Sequence, residues 1–94
     1  MPSYKLNEKA DEDLERLYER GILLYGLESA DRYYDGLIKR FCDLVEHPHL
    51  WQAVDSIKIG YRRSVYASHS IYYYIEGEDI IIMRILGKED IKSL

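Results

Sequence analysis

Ninety-four residues, 47% apolar and 32% charged, describe one folded domain with a thin core, because a chain this short buries about 60–65% of its unfolded surface. Thirteen basic against seventeen acidic residues leave a net charge of −4, which argues against a protein that works mainly by wrapping nucleic acid. No run of eighteen apolar residues is present, so no membrane span is expected. The polar, acidic start argues against a secretory signal, and the single Cys42 fits a reducing cytoplasm.

In chain order, Ser3 to Leu6 reads as a short extended segment with Tyr4 and Leu6 on one side. Asn7 is placed to cap a helix, and Glu8, Asp11 and Glu12 complement the positive end of its dipole. Ala10, Leu14, Leu17, Tyr18, Gly21 and Tyr25 fall on one helical face, and Gly26 supplies a stop. A second face runs through Ala30, Tyr34, Leu37, Ile38, Phe41, Leu44 and Val45 and ends at His47-Pro48. Helices joined so closely must fold back on each other as an antiparallel hairpin.

After Pro48 the hydrophobic period shortens to two. Ile57, Ile59 and Tyr61 alternate with charged or small residues, and Val65 continues that side. Ile71, Tyr73 and Ile75 form a second strand, the turn Glu76-Gly77-Glu78-Asp79 follows, and Ile80 to Leu86 forms a third. That last run is apolar on both faces, so it is expected at the centre of the sheet or under a partner. The predicted architecture is α+β: an N-terminal strand and a helical hairpin packed on a small antiparallel β-sheet. The first fifty residues carry the whole net charge and the rest is neutral, so the sheet half has room for a local basic patch.

Motifs for catalysis are sparse. In Ser68-His69-Ser70 neighbouring side chains on a strand point to opposite faces, so His69 is badly placed to activate either serine. Cys42, His47 and His49 lack the spacing of a zinc site, and the glycines form no phosphate-binding loop. No cofactor is expected. Tyr72-Tyr73-Tyr74 puts two rings on one sheet face and one on the other, which serves core filling and a partner surface equally well. Arg62 and Arg63 face opposite sides of a regular strand. Arg84, inside an apolar run, needs several carbonyls or a carboxylate such as Asp90 or Glu76; alternatively Arg62 and Arg84 line a concave site for an acidic partner or a phosphate.

The order of these elements, with Tyr4-Lys5-Leu6, Asp13-Leu14, Gly26, Ala30-Asp31-Arg32-Tyr33, Pro48, Gly60-Tyr61-Arg62-Arg63, Ser68-His69, Ile71-Tyr72-Tyr73 and Arg84-Ile85-Leu86 followed by Asp90 and Leu94, resembles the ParE branch of the ParE/RelE toxin superfamily. Gly87 departs from it, since many members carry a histidine there. The resemblance implies a cytoplasmic toxin that inhibits DNA gyrase by binding it and is neutralised by a cognate antitoxin, with no catalytic residues and no direct nucleic-acid binding. The expected gyrase contacts are Arg62, Arg63, His69, Arg84, Lys88 and Asp90; the expected antitoxin contacts are Leu17, Tyr25, Tyr34, Tyr72, Tyr74 and Ile82. The RelE branch, which cuts messenger RNA on the ribosome, is the alternative. Against its pattern Arg62 matches one basic position, but Ser64 and Ser70 occupy two others, Glu89 stands where a tail arginine belongs, and no tyrosine follows Tyr74. Cleavage through a 2′-hydroxyl needs a base and phosphate-gripping cations. A third possibility is a non-toxic homologue that retains antitoxin binding.

Overall fold

A computed structural model describes residues 2–87. Strand β1 (Tyr4–Leu6) leads into helix α1 (Glu8–Tyr25), whose Asn7 cap accepts the Ala10 N–H at 3.0 Å. Gly26, at φ 92°, ends α1 and opens helix α2 (Leu27–Glu46) without an intervening loop. The abrupt reversal needs a positive φ, which glycine adopts without steric cost. Four strands follow: β2 (Gln52–Ala53), β3 (Arg62–Tyr66), β4 (His69–Glu76) and β5 (Asp79–Gly87).

These strands form one five-stranded sheet in the order β1-β5-β4-β3-β2. The α+β architecture is the expected one, and β3 to β5 pair antiparallel as expected; the short β2, which the periodicity does not mark, adds antiparallel to β3, and β1 joins β5 in parallel. Strand β5 therefore lies inside the sheet, where its two-sided apolar run belongs. The hairpin covers one face through Ala10, Leu14, Leu37, Phe41 and Leu44, packed on Ile71, Tyr73, Ile80, Ile82 and Ile85. On the other face Val54 and Tyr61 fold over Tyr72 and Leu86 to make a second, smaller core.

One strand begins later than its periodicity suggested. Ile57, Ile59 and Tyr61 do not alternate on a strand. Residues 54–61 turn back on themselves, with the Val54 carbonyl accepting from the N–H groups of both Ile57 and Lys58. Gly60, at φ 84°, donates its N–H to Asp55 Oδ1 at 2.8 Å, and Ile59 is left 88% exposed at the tip. The local turn satisfies the backbone that a longer strand would have left at the sheet edge.

A register shift in β4–β5 sets up the site. Tyr73 pairs with Ile82 and Tyr72 with Arg84, so Met83 is the extra residue of a bulge. Ile82 and Ile85, three apart, can then both face the hairpin, which a regular strand forbids.

Candidate functional site

The face of α1 that carries Asp13, Leu17, Gly21 and Leu24 looks towards the last turn of β5 across an open groove of about 610 Å³. Leu17, Leu24, Tyr25, Ala30, Ile85 and Leu86 give it an apolar floor, and Arg16, Arg20, Ser68 and His69 stand around it. The groove begins where β1 ends. Past Ile82, whose carbonyl accepts from Asn7, the outer edge of β5 is met by a side chain of α1. Asp13 Oδ2 takes the Ile85 N–H at 3.0 Å and Arg84 Nε at 2.7 Å, while Oδ1 takes an Arg84 terminal N–H at 3.0 Å. The carboxylate is 2% exposed and the guanidinium 16%. Strand β5 and helix α1 are thus pinned by a forked, charge-assisted pair at the groove's inner end.

At the β3–β4 turn Tyr33 reaches up from α2. Its hydroxyl lies 3.1 Å from the Tyr66 carbonyl and 2.7 Å from His69 Nδ1. Tyr33 has one proton to give. Its role towards His69, donor or acceptor, depends on the imidazole tautomer. Burial pushes the Tyr33 hydroxyl above the ordinary tyrosine range, and hydrogen bonds from Ser68 pull part of the way back. The turn itself holds Ala67 at φ 49°. Among the described residues no three His, Cys, Asp or Glu side chains gather as a metal site.

The arginines expected to meet a target are engaged within the chain. Arg62 donates to the Trp51 carbonyl at 2.7 Å and reaches the His49 carbonyl at 3.5 Å. Arg63, on the other face, donates to Gln52 Oε1 at 3.1 Å. Arg84 is held by Asp13 rather than by Glu76, which sits at the far hairpin of β4. His69 lines the groove. Lys88 and Asp90 lie outside the described residues.

The residues expected to meet an antitoxin divide among four places. Leu17 and Tyr25 line the groove. Tyr34 is on the outer side of the hairpin, edge-on to Tyr18 in a hollow of about 430 Å³ whose other walls include Asp11, Glu15 and Asp31. Tyr74 stacks on Tyr61 over the opposite face of the sheet. Tyr72 and Ile82 are 2% and 0% exposed, so their assignment as contacts is corrected: both are core residues, Ile82 beneath the hairpin and Tyr72 beneath Val54 and Tyr61.

Two structural residues went unmarked in the sequence. Arg40 lies over the Trp51 ring at 4.8 Å, donates to Ser64 Oγ at 2.8 Å, and caps the Val65 carbonyl on the outer edge of β3 at 2.9 Å. Asp13 is the other, holding Arg84 and the Ile85 N–H on one carboxylate. Both had a signal: each charge sits three residues from a core position, Ala10 or Leu37, on the buried side of its helix.

Against known proteins, residues 4–91 match the family model described as ParE toxin of the type II toxin–antitoxin system parDE. The chain belongs to the ParE toxin family. Toxin ParE1 of Caulobacter vibrioides is 30% identical over 86 residues, covering 92% of this ParE toxin and 88% of that protein. Toxin ParE1 of Mycobacterium tuberculosis is 29% identical over 84 residues, covering 88% and 86%. A solved structure described as the chromosomal ParDE system from P. aeruginosa superposes with a TM-score of 0.80 at 25% identity, covering 93% of this chain and 96% of that one. The fold of that toxin–antitoxin structure is therefore shared along nearly the whole chain.

Proposed function

We propose that this ParE toxin acts in the cytoplasm by binding DNA gyrase, without an active site of its own, and that a cognate antitoxin neutralises it by lying in the groove between α1 and β5. Family membership over residues 4–91 is the observation that carries this reading. The use of the sheet's polar side chains adds to it. At the positions where the RNA-cleaving branch places phosphate-gripping groups, Arg62 serves main-chain carbonyls, and Ser64 is 1% exposed and bonded to Arg40. Groups tied up in this way are poorly placed to stabilise a leaving oxygen. The groove supports the antitoxin part: an apolar floor with a polar rim is the ordinary anatomy of a protein interface.

A supercoiling assay with purified gyrase tests the target. Inhibition that rises with toxin concentration and disappears on adding antitoxin is expected. Unaffected gyrase together with cut messenger RNA on translating ribosomes would replace this reading with the ribonuclease one.

A further inference from the structure

The groove has a charge that the rest of the helical half does not. Helices α1 and α2 belong to the acidic half of the sequence, yet the ionisable side chains around the groove are Asp13, Arg16, Arg20 and His69, with the tyrosines. Asp13 is already matched by Arg84 at 2.7 Å. Arg16 touches Asp13 at 3.3 Å but is 68% exposed, and Arg20 has no carboxylate partner among the described residues. Arg16 and Arg20 are four residues apart, so their backbone positions are about 6 Å apart along one side of α1. They lie beside an apolar floor that includes Leu17 and Leu24.

We infer that the segment seated in this groove is acidic, an amphipathic stretch of the antitoxin that lays apolar side chains on the floor and offers carboxylates to Arg16 and Arg20. The inference rests on the groove being the antitoxin site and adds the charge that its occupant must carry. A lysine-rich segment with the same apolar face would meet two like charges, so the rim also excludes wrong partners. Since both arginines stand at the exposed edge of an otherwise apolar contact, they act on approach and selection more than on the fold.

The test measures binding of the product of the adjacent reading frame, full length, to four forms of the toxin. These are the wild type, the neutral floor variant Leu24→Ser and the rim variants Arg20→Glu and Arg20→Lys; both altered residues are exposed, so folding is preserved and is checked by circular dichroism. Arg20→Glu should weaken binding by about ten- to a hundredfold, Arg20→Lys should keep most of it, and wild-type affinity should fall as salt is raised. If Leu24→Ser weakens the complex while Arg20→Glu does not, the charge inference is overturned and the groove reading stands. If neither weakens it, the groove reading itself fails. A free toxin that sediments as a dimer, and dissociates on Arg20→Glu, would give the groove to a second copy and likewise overturn the inference.

Discussion

Removing the Asp13 carboxylate should be among the most damaging single changes in this protein. Asp13→Leu takes the Asp13 carboxylate away from the Arg84 guanidinium, only 16% exposed, and removes the side-chain acceptor of the Ile85 N–H where β1 no longer covers β5. Breaking one partner of a buried ion pair costs about 3–5 kcal/mol, and a lost acceptor for a buried N–H about 1–3 kcal/mol, with overlap between the two. Against a total stability of about 5–15 kcal/mol this is a large share. For a domain of this size, 3–5 kcal/mol corresponds to a fall in Tm on the order of 15–30 °C.

Urea unfolding of the wild type, Asp13→Leu and the double variant Asp13→Leu/Arg84→Met separates the two contributions. The double variant removes the guanidinium together with the carboxylate, so it should regain most of the loss and retain chiefly the cost of the Ile85 N–H, about 1–3 kcal/mol. The expected order is therefore wild type, double variant, single variant. A single variant within about 1 kcal/mol of wild type would refute the reasoning, because a pair whose loss costs so little does not pin α1 to β5.

Three further outcomes follow from single contacts. Gly36→Ala should destabilise by about 1–3 kcal/mol although alanine is the better helix former, because its Cβ would stand 2.7 Å from Tyr66 Cζ; thermal melts should show partial recovery when Tyr66 is also cut to Leu. Arg40→Lys should lower stability by about 1–2 kcal/mol, since one ammonium cannot donate to Ser64 and Val65 while stacking on Trp51. At high pH, Tyr73 sets an alkaline limit. Burial holds its hydroxyl up at about 12, so the unfolded chain loses that proton first, and stability should be intact below pH 10 and decline as pH climbs towards 12. Absorbance titration of wild type against Tyr73→Phe checks it, and an unchanged alkaline limb in the variant would count against the assignment.

Local chemistry made the hairpin legible. An asparagine cap, two apolar stripes and one glycine specify α1, the reversal and α2, because each signal acts within a few residues. The strands were legible where burial is one-sided, as in Tyr72-Tyr73-Tyr74, whose rings divide between the two cores as alternation requires. Alternation misled at Ile57 and Ile59, where a glycine turn outweighs two isoleucines with nothing to pack on. The site was less readable, for a different reason. Arg62, Arg63 and Arg84 were singled out as cations, but a charge does not announce whether it faces solvent or a carbonyl 11 residues away. The Asp13–Arg84 pair spans 71 positions, and a bulge at Met83 aims one end of it. No local pattern encodes such a contact.

If the groove is the antitoxin site proposed above, that pair also ties stability to partner binding. Asp13 and Ile85 hold the inner end of the groove and line it at the same time, so the contact that closes the core also fixes the spacing between α1 and β5 where a partner would sit. An antitoxin that binds only the folded toxin, at a hundred times its Kd, adds about 2.7 kcal/mol. If Asp13 served stability alone, Asp13→Asn would receive that same increment. Because the carboxylate positions the wall, the asparagine variant should receive less: its amide cannot take both the guanidinium fork and the Ile85 N–H. Melting each toxin with and without antitoxin, at matched excess, measures the two increments. Equal increments would separate the pin from the groove, and the groove would then owe its shape to the helix packing of Gly21 on Ala30 instead.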